Sequence, residues 1–393
     1  MTSGNEKPPS DYVAGARRLG PQIAAGGEYG DRERRLSPEV VEALAGAGFF
    51  RMLLSPTAGG DGAPLRDFLL VAEAVAGADG SAGWCLVQGA LSASQVAHFL
   101  APAVAHHIFA PPRAILANGT GPNGRAVAVP GGYRLTGAWP FASGCTHATW
   151  FKGAAPVFDA AGSPVRFPDG APDHRTLLFP AGEATVEDIW QVAGLRGTGS
   201  NVIRVDDLFV PQERTACLTH DTPLESTTLA ALPYAPVAAA GFCSVAMGIA
   251  RGALDAFTTL AAAKTPRAAP GVLRESPVVQ TQVARAEAQL RAARAFVLET
   301  VADAWDTSLR GAPLTAAQRA LMRLAATSAI HQAAQVVDTI YYAAGATAIF
   351  AAQPFERRFR DIHAVTQQTQ ANPRHFEAVG RFFLGLDSSD FSR

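Results

Sequence analysis

Residues 277–304 read PVVQTQVARAEAQLRAARAFVLETVADA, and the spacing of their apolar side chains sets the fold. Val279, Val283, Ala286, Leu290, Ala293, Val297, Val301 and Ala304 recur at steps of three or four. That draws one stripe along a helix of about 30 residues, well beyond the usual ~10–14. After RGAPL (310–314), the stretch TAAQRALMRLAATSAIHQAAQVVDTIYYAAGA (315–346) gives a second long helix, with Thr315 as its N-cap. A third is predicted at 236–263 and a fourth near 361–385. Long helices joined by short links predict an antiparallel four-helix bundle, and helices of this length commonly pack against copies of themselves, so an oligomer is expected.

Upstream the texture changes. AVAVPGGYRLTGAW (126–139), TLLFP (176–180) and NVIRVDDLFVP (201–211) alternate partially and are punctuated by Gly, Pro and Asp, as strands and turns are. Further upstream the chain is helical again. Ser37 and Pro38 suit an N-cap and first turn, with Gly46 or Gly48 at the end. Residues 64–80 form an amphipathic helix that breaks at Asp79–Gly80, and 81–100 a nearly apolar, central one. The fold class is mainly α with a central β domain: an N-terminal helical domain (1–112), a middle β domain (113–214) and a C-terminal four-helix bundle (215–393).

Composition removes several function classes. A formal net charge of -1 gives no basic field for nucleic acid. No uninterrupted apolar run approaches the ~20 residues of a membrane span. The first 18 residues, MTSGNEKPPSDYVAGARR, read as a polar lead-in without the apolar middle of a secretory signal. Cys85, Cys145, Cys217 and Cys243 lie far apart with no metal-ligand spacing, so neither a metal site nor a disulfide frame is expected. Buried thiols in a reducing cytoplasm are.

The densest cluster of chemistry is WPFASGCTHATW (139–150). Two Trp, a Phe, a Ser-Gly pair and a His suit the wall of a flat ligand with apolar faces and a polar edge. The same residues also suit an aromatic strand turning through a β core at Ser143–Gly144.

Five segments carry a family resemblance: DRERRLSPEVVEALAGAGFFRML (31–53), ADGSAGWCLV (78–87), WPFASGCTHATWF (139–151), GLRGTGS (194–200), and RDIHA (360–364) with VGRFFLG (379–385). Together and in order, they resemble the oxygenase components of two-component flavin monooxygenases of the 4-hydroxyphenylacetate 3-hydroxylase type (group D). That branch has the acyl-CoA dehydrogenase fold. GLRGTGSNVIRVDDLFVP (194–211) and AAGATAIFAAQPFERRFRDIHA (343–364) are similar to signatures of the wider superfamily, the latter to a flavin loop followed by an Arg-Asp that opens the last helix. The resemblance implies that Trp139 and Phe141 wall a flavin, and that Ser143 donates a hydrogen bond near N5. Thr198 and Ser200 would serve the flavin or make a tight turn. Lys264 and Arg274 stand where relatives hold its phosphate, Lys264 otherwise favouring a helix C-terminus. Gly345 would allow a close approach to the flavin of a neighbouring subunit.

Dehydrogenases of this superfamily need a carboxylate base. The position about eight residues after Arg360–Asp361 is Thr369, and the alternative helix, 236–260, offers only Asp255. Phenol hydroxylases of the branch carry one His at the position of Ser92 and another where Gln367–Gln368 stand, with a polar pocket residue at Asn118. Neither Ser92 nor Gln368 takes a proton at neutral pH. Their catalytic assignment is thus hydrogen bonding, which implies that a phenol is not activated in the usual way: either the substrate is already nucleophilic (an amine, an enolisable ketone or a hydroquinone), or another residue supplies the base. His147 is assigned to substrate, or else packs as a satisfied structural residue.

The resulting expectation is a monooxygenase acting through a flavin C4a-hydroperoxide on an aromatic or polyketide-like molecule. It would use O2 and reduced FMN, with FAD as second choice, supplied by an NAD(P)H:flavin reductase, and would assemble as a homotetramer. Alternatives are N-oxygenation of an amine or amino sugar, and an unconventional flavin dehydrogenase.

Overall fold

The computed structural model describes residues 11–267 and 270–386 together with Phe391. The chain opens with α1 (Asp11–Glu33), so the polar lead-in ends earlier than the sequence suggested. Val13, Ala16, Ile23, Gly27 and Gly30 form a buried stripe that the intervening polar residues disguised. Residues 1–10 lie outside the described chain. Ser37 caps α2 (Pro38–Gly46), its hydroxyl accepting from the Val40 amide. Asp79 joins α3 (Leu65–Ala78) to α4 (Gly80–Ala97): its N–H closes α3 on the Val75 carbonyl at 2.9 Å, and its carboxylate accepts the Ala82 amide at 2.9 Å. A short α5 (Pro102–Phe109) leads into the sheet.

Eight strands follow: β1 (Leu116–Asn118), β2 (Gly124–Val129), β3 (Gly132–Ala142), β4 (Trp150–Phe158), β5 (His174–Pro180), β6 (Thr185–Glu187), β7 (Asn201–Pro211) and β8 (Thr215–Ala216). Their order is β6-β7-β3-β2-β4-β5-β8, with β1 paired parallel to β4. That pairing sets Asn118 directly beside Lys152. The sheet has its own core around Leu135, Trp139, Phe151, Phe179 and Ile203.

The long helices are α6 (Tyr234–Ala263), α7 (Pro277–Leu309) and α8 (Ala316–Ala344). Seven of the eight predicted stripe positions on α7 are buried and Val283 is partly so. Thr315 caps α8 in a reciprocal box with Gln318. The single last helix expected near 361–385 is instead α9 (Pro354–Thr366) and α10 (Arg374–Phe383). Pro373 forces the preceding Asn372 into an extended conformation and breaks the run. Arg360–Asp361 consequently lie inside α9 rather than opening a helix. Among the described residues α6 is long and apolar enough to cross a membrane by composition, but 94% of its most apolar window is buried in the protein. Helices from both ends of the chain share one apolar core, and α4 is sandwiched between it and the sheet.

Candidate functional site

A chain of hydroxyls leaves the end of β3. Ser143 Oγ accepts the Trp84 indole N–H at 3.0 Å and meets Ser200 Oγ at 2.7 Å; Ser200 meets Thr198 Oγ1 at 2.7 Å; Thr198 donates to the Leu195 carbonyl at 2.8 Å. Each hydroxyl has one proton, and a carbonyl can only accept. The direction is therefore fixed: Ser143 gives its proton to Ser200, Ser200 to Thr198, and Thr198 to Leu195. The sequence reading made Ser143 an outward donor; the geometry leaves it a lone pair instead. Left-handed Leu195 (φ 52°) and Gly199 (φ 50°) bend the loop so that both its hydroxyls turn inward and are buried.

Trp139 does not form the expected wall. It is fully buried, its indole N–H donates to the Ala154 carbonyl at 2.9 Å, and it packs over Gly124, Gly137 and Gly153, where any Cβ would lie within 2.7 Å of the ring. Phe141 is the exposed aromatic, 58% accessible and held at φ 59°, a strained conformation for a non-glycine residue. Trp190 meets it edge-on at 6.0 Å. Phe141 and Trp190 thus make an open apolar face two residues before Ser143, whose amide donates to the Phe141 carbonyl at 2.9 Å; an aromatic face and a free hydroxyl lone pair are groups that could hold a reduced flavin, whose N5 carries a hydrogen.

From Trp84 a polar seam runs down otherwise apolar α4 at helical spacing: Trp84, Gln88, Ser92, Gln95 and His98. Asn118 Oδ1 accepts from Gln88 at 2.9 Å and from the Ser92 hydroxyl, which also hydrogen-bonds Tyr234. Lys152, buried beside Asn118, donates to Gln95 Oε1 at 2.8 Å and approaches the Ser92 carbonyl at 3.4 Å. Its ammonium lies 6.0 Å from the Tyr234 ring. Burial pulls the Lys152 titration down to about 7. Gln95, Tyr234, His98, Leu91, Leu232 and Val237 line a cavity of about 200 Å³.

The other expected residues lie elsewhere. Gln368 caps its own turn, its side chain accepting the Gln370 amide at 2.6 Å, and contributes no contact to the seam. His147 is not a satisfied packing residue: both ring nitrogens are buried without hydrogen bonds, and burial, aided by Arg113, lowers its titration to about 4. Its Nε2 would sit 3.0 Å from a Cβ on Gly144, so it backs the loop that follows Ser143. Lys264 Nζ caps α8 through the Ala344 carbonyl at 2.6 Å, next to Gly345, and its own carbonyl accepts the amide of Leu273, the neighbour of exposed Arg274. These three gather at the far end of α6. Along that helix, Lys264 is 22 residues from Phe242, which packs on Trp84 at 4.5 Å, a separation of ~33 Å at 1.5 Å per residue. Asp361 accepts the Leu195 amide at 2.6 Å and pins the hydroxyl loop. Among the described residues no cluster of three or more His, Cys, Asp or Glu suited to a metal is present.

The sequence reading missed Trp84, Gln95, Lys152, Trp190 and Tyr234. Polar residues at steps of four and three in the apolar helix 81–100 carried a signal, as did a lone lysine in the strand WFKGAAPVF.

Residues 240–373 match the acyl-CoA dehydrogenase, C-terminal domain family. The indole-3-acetate monooxygenase of Pseudomonas putida is 31% identical over 360 residues, covering 91% of this chain and 90% of its own. The oxygenase component of an FADH2-dependent resorcinol hydroxylase from a Rhizobium species is 30% identical, covering 91% of this chain and 90% of its own. Among solved structures, XiaF from a Streptomyces species, in complex with FADH2 and glycerol, gives a TM-score of 0.88 at 26% identity, with 97% of this chain and 96% of that one covered. With its helices, sheet and bundle in the same arrangement, the chain belongs to the oxygenase components of flavin-dependent monooxygenases, built on the acyl-CoA dehydrogenase fold.

Proposed function

We propose that this oxygenase takes reduced flavin from a separate NAD(P)H-dependent reductase and uses it to oxygenate a small aromatic or polyketide-like molecule at carbon. When bound, reduced flavin supplies the electrons and the atom at which O2 is activated. The observation that carries the reading is the exposed Phe141–Trp190 face beside a serine whose proton is already committed inward. Ser143 then accepts from the N–H that only the reduced ring presents, and Phe141 covers one side of the ring against water.

Neither dehydrogenase position offers a base. Thr369 is a threonine, and Asp255 is exposed and paired with Arg251 at 3.2 Å. The groups around Ser92 include no carboxylate to hold an ammonium, which disfavours an amine or amino sugar. The ~33 Å between the Ser143 and Lys264 ends exceeds the reach of one flavin mononucleotide. Lys264, Arg274 and Gly345 are therefore proposed to serve the flavin of a second copy, in a homotetramer. Four buried, unpaired thiols suit the cytoplasm, where the reductase substrate also resides.

Anaerobic titration tests this. Reduced FMN and reduced FAD should bind far more tightly than their oxidised forms. Relatives and structural neighbours whose names print a flavin show both kinds, FADH2 for the resorcinol hydroxylase and XiaF and FMN for the dibenzothiophene monooxygenase TdsC of a Paenibacillus species, so the choice between the two is made by this comparison. Ser143→Ala should weaken reduced flavin about tenfold and leave oxidised flavin unchanged, the loss of one hydrogen bond. Equal affinity for both redox states overturns the proposal.

A further inference from the structure

We propose that Lys152 and Tyr234 form the substrate end of the site and bind an acidic hydroxyl, a phenol or enol, whose proton passes to Lys152. This rests on the monooxygenase reading and adds the chemical class of its substrate.

A buried cation normally has a carboxylate partner, because burying it unpaired costs several kcal/mol. Lys152 has none. Its oxygen partners are the Gln95 amide and the Ser92 carbonyl, both neutral. The elements packed against it add only Asn118 from β1, Leu178 from β5 and Tyr234 from α6. Further along α4, burial lowers the titration of His98, and Glu225 lies 4.0 Å from its Nδ1. Among the described residues no ionised side chain acts on Lys152, and burial displaces its titration.

The arrangement lacks an anion, and the adjoining cavity is where one enters. Gln95, which accepts from Lys152 at 2.8 Å, and Tyr234, whose ring lies 6.0 Å from the lysine nitrogen, line it. So does His98, 4% accessible, whose two ring nitrogens are buried without any hydrogen bond. The cavity of about 200 Å³ accommodates one or two aromatic rings, with an ionisable group at the lysine end and a hydrogen-bonding group toward His98. Among the described residues the cavity lining itself carries no carboxylate to hold an amine.

In the proposed step the substrate O–H bond breaks and an Nζ–H bond forms. The neutral amine becomes an ammonium, and the oxyanion stays paired with it beside the Tyr234 hydroxyl. Ionisation raises electron density on the ring carbons ortho and para to the oxygen, as an electrophilic oxygen donor requires. Proton and charge balance without a further reactant.

The test uses 2-naphthol, neutral in solution at pH 8, with the full-length protein. Its naphtholate absorbance should appear on binding to the wild type, with no net proton release to buffer. Lys152→Met should bind it at least tenfold more weakly and un-ionised, while its reduced-flavin affinity stays at the wild-type value. Should that variant fail to fold, Lys152→Arg, which keeps the charge but has no accessible base, should release one proton to buffer on binding. A naphthol that stays neutral in the wild type, fails to bind, or ionises equally without Lys152 overturns the proposal. So does tighter binding of 2-naphthoate with proton uptake, which would make the ligand a carboxylate. Failure of the wild type to bind reduced flavin instead sinks the monooxygenase reading itself, a separate result.

Discussion

The two ends of the α4 seam are oppositely built. At the Ser143 end, three hydroxyls and an indole satisfy one another in a line whose direction is fixed by the Leu195 carbonyl. Nothing in that line titrates, and at its Ser143 end it leaves a lone pair unused. At the Lys152 end a lysine amine sits among neutral oxygens without a carboxylate, and a histidine keeps two nitrogens unbonded. A complete network holds a fixed hydrogen-bonding shape at any pH, whereas an incomplete one spends stability until a ligand completes it. The first suits a coenzyme that is always the same, and the second a substrate that must be ionised on arrival.

That contrast breaks most visibly in stability against pH. The Lys152 titration is lowered to about 7 in the fold, against an ordinary value near 10.5. The unfolded chain therefore binds more protons between those limits, and wild-type stability rises with pH through that window. Lys152→Met should be more stable than wild type at pH 7, by on the order of 3 kcal/mol, with the gap closing toward pH 10. Urea unfolding at the two pH values measures it. A variant less stable at pH 7 would mean that the lysine is already paired.

At the other end, Ser200→Val removes the middle of the hydroxyl line. Ser143 loses its acceptor, and the protein should lose about 1–3 kcal/mol. The more telling result concerns flavin. With its proton released, Ser143 can donate outward, so the preference for reduced over oxidised flavin should shrink several-fold, measured by the same anaerobic titrations. An unchanged preference would show that the direction of the line does not matter.

The helical parts of this fold were legible because burial there follows a period. The α7 stripe, the Ser37 and Thr315 caps and the Asp79 break all express local backbone chemistry that a sequence displays. Ser143, Thr198 and Ser200 stand in motif text, while Ser92 and Asn118 were marked only by the resemblance; they meet in two hydrogen-bonded networks. Gln368 fails because a broken final helix turns its side chain onto its own backbone. Trp139 and Phe141 could not be told apart, since a left-handed Phe141 reverses the alternation at the end of β3. Lys152 stayed hidden for a related reason. Phe151, Lys152 and Gly153 are all buried, because β4 is covered by α4 on one face and by the sheet core on the other, and a doubly covered strand has no polar face to read.

Asp361 supplies the smallest and sharpest test. It is buried, accepts the Leu195 amide at 2.6 Å, and so holds the residue on which the hydroxyl line ends. Burial, with the neighbouring Asp79 carboxylate, pushes its titration up to about 7. A carboxyl raised in the fold binds more protons there than in the unfolded chain between about pH 4 and 7, so its contribution is present at low pH and fades as pH rises. Wild-type stability should therefore fall across that window and recover above it as Lys152 loses its proton, leaving a dip near neutrality. Asp361→Asn keeps an oxygen for the Leu195 amide and removes only the ionisation. It should flatten the lower limb while leaving the reduced-flavin preference intact. A substrate phenol should then reshape the upper limb, through Lys152, and leave the lower one alone. If ligand moves both limbs, the two ends of α4 are coupled, and the division of labour between them fails.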